Sequence, residues 1–114
     1  YINPSKTANK MAELLKYEEK CNYIICLSHL GFKYKSNKIS DLELSQNTRN
    51  INLILGGHTH TFLSKPYIVK NLENKNTLIN QAGWAGVTLG HLDLFFDKKK
   101  KLKNINFKSN KIKN

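Results

Sequence analysis

Three of the four histidines in this chain, His29, His58 and His60, each follow a short apolar run and are accompanied by glycine. Imidazole is the side chain that changes charge near neutral pH, and it is a common ligand for zinc, iron and manganese-like ions. Three imidazoles that converge could hold one ion or be shared between two. Taken singly, each has an ordinary alternative. A His-x-His in a loop is often an exposed turn, and a histidine after a strand often bonds a backbone carbonyl. Joint placement shifts the balance toward ligation: in an open α/β sheet, ligands gather beyond the carboxyl ends of the strands, and all three histidines fall there if both apolar runs are strands of one sheet. Gly31, Gly56 and Gly57 permit tight turns and close backbone approach beside them. Three other residues read as structural. His91 lies within an alternating strand, Trp84 between Gly83 and Gly86 reads as a packed loop anchor rather than a site wall, and Asp41 favours a helix N-terminus without a catalytic part.

The elements that must carry these residues are readable from periodicity. Asn3-Pro4 followed by Ala8, Met11, Ala12 and Leu15 sets a cap, an N-terminal proline and an apolar stripe, predicting a helix over about 4–19. Tyr23–Leu27 is a short apolar run rich in β-branched and aromatic residues, expected to be a strand buried on both faces. Ser40-Asp41-Leu42-Glu43 has capping-box form and predicts a helix over about 41–48. Ile51–Leu55 is a second apolar strand, so the order is βαβ, with parallel strands and a right-handed connection. Beyond residue 65 the pattern becomes short strands at Tyr67–Lys70, Thr77–Gln81 and Val87–Phe96, with antiparallel chemistry. Asp97–Lys101 predicts a hairpin turn into an edge strand at Leu102–Phe107, whose lysines discourage edge pairing. The fold class is therefore α/β, a βαβ unit followed by an antiparallel strand set. One domain is expected over 1–107, with a lysine-rich flexible tail at 108–114.

A hydrophobic fraction of 39% over 114 residues supports one modest core and argues against wholesale disorder. No run of about 18 apolar residues occurs, so no transmembrane helix is predicted. Cys21 and Cys26 bracket a strand whose length, at about 3.3 Å per residue, keeps them beyond disulfide reach. The net charge of +11 invites a nucleic-acid reading, but the basic residues are almost all lysine, with Arg49 alone. The forked guanidinium that reads bases is missing. An excess of Lys, Asn and Ile reads as compositional bias, giving nonspecific polyanion attraction and no specific nucleic-acid partner. The chain starts at Tyr1 and runs directly into a helical pattern, so a preceding segment is expected to be missing, and any targeting signal with it.

Ser28-His29-Leu30-Gly31, then Asp41 opening a helix, then Ile54-Leu55-Gly56-Gly57-His58-Thr59-His60-Thr61, then Asn80-Gln81-Ala82-Gly83-Trp84-Ala85-Gly86 with Leu89-Gly90 and Leu92, resembles a known pattern. It is similar to the C-terminal half of the calcineurin-like metallophosphoesterase domain of bacterial 5′-nucleotidases and UDP-sugar hydrolases, over about residues 3–96. The resemblance implies a partial four-layer α/β/β/α sandwich with a two-metal site at the upper edge of its sheets. It also implies that His29 and His58 bind one divalent ion and His60 the other, the ions being zinc, manganese, iron or similar. In the complete domain the pair would clamp a phosphate monoester, nucleotide or otherwise, while hydroxide attacks phosphorus in line with the leaving alkoxide.

The family's Asp-x-His element, its bridging aspartate and its Asn-His element have no counterpart here and are expected before residue 1. No catalytic residue is therefore assigned within the chain, which alone is expected to be incomplete and inactive. A nucleotide-specificity domain or chain would be a further partner, and the resemblance implies a periplasmic or cell-envelope location. The competing reading is an inactive remnant or a basic polyanion-binding module without catalysis. The missing motifs upstream of Tyr1 would decide for the enzyme.

Overall fold

The computed structural model describes residues 2–113, so Tyr1 and Asn114, which bound the two predicted segments, lie outside it. Helix α1, Pro4–Glu13, starts as its sequence dictates: the Asn3 side chain accepts from Lys6 N at 3.2 Å and Pro4 occupies the first turn. The predicted helix to residue 19 persists in extent but not in geometry. Leu14–Glu18 is a π-turn, in which Glu19 N reaches back five residues to Leu14 O. Helix α2, Asp41–Gln46, is capped by Ser40 Oγ, which accepts from Glu43 N.

Four strands form one sheet: β1, Ile25–Leu27; β2, Leu53–Leu55; β3, Tyr67–Lys70; and β4, Asn76–Asn80, in the order β1-β2-β4-β3. β1 and β2 are parallel, as the βαβ reading requires. The later strands depart from expectation, because β4 runs parallel to β2 and only β3 is antiparallel within the sheet. The first strand also departs. It spans only Ile25–Leu27 and is not buried on both faces, since Leu27 is 80% exposed. β1 lies at the edge of the sheet, so an apolar run that resembles a central strand here has a neighbour on one side only.

Side chains of adjacent registered strands share a face. Ile54 and Ile79 are register partners, both fully buried, and they form the core with Ala12 of α1, Leu44 of α2, Phe32, Ile51 and Val69. Leu53 and Leu78, also partners, are buried on the opposite face. That face meets a separate hairpin of β5, Thr88–Phe96, and β6, Leu102–Lys111, with Tyr23 edge-on to Phe96 at 5.5 Å between ring centroids. The predicted Asp97–Lys101 turn forms, its Asp97 Oδ1 accepting from Lys99 N and Lys101 N. The last strand is longer than expected. Lys108–Lys111 stay in the ladder opposite Thr88–His91, because β5 is long enough to pair with them.

The core assignment has a measurable consequence. Ile79→Ala should lower the unfolding free energy by about 2–5 kcal/mol in urea titrations, whereas Leu27→Ala should change it by less than about 0.5 kcal/mol. Equal effects would show that the helix-covered face is not the stabilising one.

Candidate metal centre at the strand ends

The parallel strands β1 and β2 end side by side, and His29 and His58 follow those ends. Their rings lie 5.2 Å apart between centroids at 73°. Both line an open hollow of about 440 Å³, to which Lys38 also contributes. Gly57 leaves room there, since a Cβ at that position would stand 3.0 Å from His29 Nδ1. His60 is turned to a different neighbour: its ring lies 5.8 Å from that of Trp84, tilted by 30°. Among the described residues no three His, Cys, Asp or Glu side chains are grouped to hold one ion. His91 is on β5, exposed, with Nε2 2.8 Å from Asp93 Oδ1. Trp84 is no packed anchor; it is 60% exposed and forms part of the rim beside His60.

His58 and His60 both have left-handed backbone, with φ of 77° and 54°. Such a conformation costs a residue with a Cβ about 1–2 kcal/mol. It is held from outside the loop by Gln81, which follows β4 and is 2% exposed. The Gln81 amide donates from Nε2 to Gly57 O at 2.9 Å, while its Oε1 accepts from Thr61 N at 2.7 Å and from Thr59 Oγ1 at 3.1 Å. Thr59 Oγ1 in turn accepts from Phe32 N at 2.9 Å, tying the second histidine loop to the first. Gln81 and Thr59 carry no periodicity signal and were missed as site-forming residues; only the tertiary contact reveals them.

Asp41 holds the other side. It is fully buried, and the Ser28 hydroxyl donates to its Oδ1, while Oδ2 has no hydrogen-bond partner. Gly56 is glycine for a matching reason: a Cβ there would overlap Asp41 Oδ2. Burial pushes the Asp41 carboxyl above the usual carboxylate range, and the Ser28 hydrogen bond and nearby His29 pull it partly back. Asp41 therefore supports the residue next to His29 as well as opening α2.

Gln81→Leu keeps the volume but leaves the Gly57 carbonyl and Thr61 amide without their partner. It should cost about 1–3 kcal/mol and shift the ring resonances of His58 and His60 more than those of His91. Unmoved His58 and His60 resonances would deny the clamp. For Asp41 the folded pKa lies above the unfolded one, so its favourable contribution is complete below about pH 4 and is lost as pH rises through the folded pKa. The stability of the wild-type chain relative to D41N should thus decline from pH 4 toward neutrality in urea melts. A difference that grew with pH would mean that the ionised form is the one the fold prefers.

No protein-family model matches the chain. Over 94 residues, 82% of its length, it is 40% identical to the trifunctional nucleotide phosphoesterase protein YfkN of Bacillus subtilis, of which it spans 6%. It is 30% identical over 107 residues to the snake venom 5′-nucleotidase of Gloydius brevicauda, spanning 16% of that protein. The crystal structure of a 5′-nucleotidase precursor from Thermus thermophilus superposes with a TM-score of 0.82 at 30% identity, covering 97% of this chain and 23% of that one. The chain is thus a small part of the length of each relative, while 82% or more of it is covered by each of these matches. It belongs to the 5′-nucleotidase family and corresponds to part of the metallophosphoesterase domain of that family.

Proposed function

We propose that the chain is the C-terminal metal-binding half of a two-metal phosphoesterase that hydrolyses phosphate monoesters, nucleoside 5′-monophosphates in particular. The observation that carries this reading is the His29–His58 pair at adjacent parallel strand ends. Two imidazoles on one tetrahedral ion, with bonds of about 2.0–2.1 Å, have ring centroids roughly 5 Å apart. The observed 5.2 Å accords with that, and the glycine beside His29 keeps the approach open. The donor set fits half of such a centre.

His29 and His58 would hold one ion and His60 the other, within the four-layer sandwich of the complete domain. Bound there, the two ions would supply Lewis acidity and charge neutralisation for a phosphoryl group. The chain's own residues prepare the place. Gln81 and Thr59 fix the backbone that carries His58 and His60, and Ser28 with Asp41 fixes the turn that carries His29. Lys38, on the wall of the same hollow, adds a cation suited to a phosphate oxygen. Three neutral imidazoles do not compensate two dications, so the reading takes the carboxylates and the leaving-group acid from a preceding segment. The 114-residue chain alone is then inactive, and a nucleotide-specificity domain or chain completes the enzyme. The relatives described as a precursor and as a venom enzyme accord with an exported protein; among the described residues no helix is long and apolar enough to cross a membrane.

The test is to express the complete coding sequence and follow phosphate release from AMP. EDTA should abolish turnover and H58A should reduce it by more than about 100-fold, while the isolated chain releases none. Chelator-insensitive turnover, or full activity in H58A, would remove the proposal.

A further inference from the structure

A hollow of about 540 Å³ lies at the other edge of the sheet. Tyr23 precedes β1, and Asn52 and Asn76 stand at the amino ends of β2 and β4, whereas the histidines follow the carboxyl ends. Its rim carries Lys16 from the π-turn and Lys99, Lys100 and Lys101 from the β5–β6 turn, and no carboxylate lines it. The ion pairs of the described residues engage Lys75 and Lys103 and none of these four lysines. The three turn lysines are not on a loose loop, because Asp97 Oδ1 holds the amides of Lys99 and Lys101 and Asp97 N closes the turn on Lys101 O at 2.9 Å.

The floor differs from the rim. Ile68, Leu78 and Leu102 give it apolar surface. Tyr23, whose ring is fixed edge-on by Phe96, has a hydroxyl that is buried and has no hydrogen-bond partner. A buried hydroxyl without a partner costs free energy, which a small turn of the ring toward a ligand acceptor in the hollow would recover. Burial also pushes the Tyr23 phenol up, so it stays protonated and able to donate at neutral pH.

We propose that this hollow binds an organic polyphosphate, with the phosphates among Lys16, Lys99, Lys100 and Lys101 and the organic ring on the apolar floor. Four lysines on one hollow whose lining includes no carboxylate suit a ligand with more than one phosphate. An apolar floor behind them distinguishes such a ligand from a bare inorganic ion. The inference concerns binding only and is independent of hydrolysis at the histidine edge.

The experiment titrates the full chain with ATP and with inorganic tripolyphosphate by calorimetry, in EDTA and near physiological ionic strength. ATP should bind saturably and more tightly than tripolyphosphate. K99Q/K100Q/K101Q should weaken ATP by at least about tenfold, the scale expected for lost charge-assisted hydrogen bonds, and Y23F severalfold. K108Q/K111Q/K113Q removes the same charge from the end of β6 and beyond and should leave affinity nearly unchanged. Equal losses in the two triple variants would mean attraction by net charge alone and would overturn the site. So would tripolyphosphate binding as tightly as ATP, or a loss of ATP binding in H58A, which would assign the ligand to the other edge. Circular dichroism of each variant separates lost binding from lost folding, and K16Q, on a different element, gives a second test of the rim.

Discussion

A buried amide governs the geometry of the histidine edge. Gln81 spans the gap between the end of β4 and the loop after β2, and its three hydrogen bonds reach both sides of His58 and His60. The two left-handed histidines together cost about 2–4 kcal/mol. Three hydrogen bonds at a net 0.5–1.5 kcal/mol each are of about the same size. The strain is therefore tolerable because the clamp is tertiary, and neither the loop's own sequence nor its own hydrogen bonds would hold it. Strain of this kind, kept by its surroundings, is usual where side chains must be aimed at a ligand.

The second support, Ser28 to Asp41, works by a different balance. A carboxylate with one oxygen unpartnered and no exposure is an expensive group to bury. Its place at the first residue of α2 offsets part of that cost, since a helix N-terminus favours negative charge. Gly56 then becomes obligatory, because the carboxyl occupies the space of its missing side chain. One buried acid thus links the turn before His29, the start of α2 and the glycine pair before His58.

The sheet separates two chemistries by direction. Parallel strands put all their carboxyl ends on one edge and all their amino ends on the other. Imidazoles collect at the first edge, with Lys38 beside them, and four lysines without ion pairs among the described residues line the hollow at the second. The lysines that looked scattered along the chain include four that the fold gathers into one place, Lys16 being more than eighty positions from Lys99.

The sequence by itself determined the local elements and the placement of His29 and His58 after adjacent strand ends. Asn3-Pro4, the Ser40 capping box, the two apolar runs ending in histidine and the Asp97 turn all rest on short-range interactions, so their signals lie within a few residues. The strand-end placement of His29 and His58 follows from βαβ topology, and the family resemblance through their flanking motifs agrees with the relatives found. What only the tertiary structure decided lies between distant segments. The parallel pairing of β4 with β2, the exposed edge at β1, the turning of His60 to Trp84 and the Gln81 clamp each depend on partners 20 or more residues away. Hydrophobic periodicity reports which face of an element is buried but is silent on which element covers it. A polar residue such as Gln81 leaves no periodic trace, because its role is set by where its hydrogen bonds end.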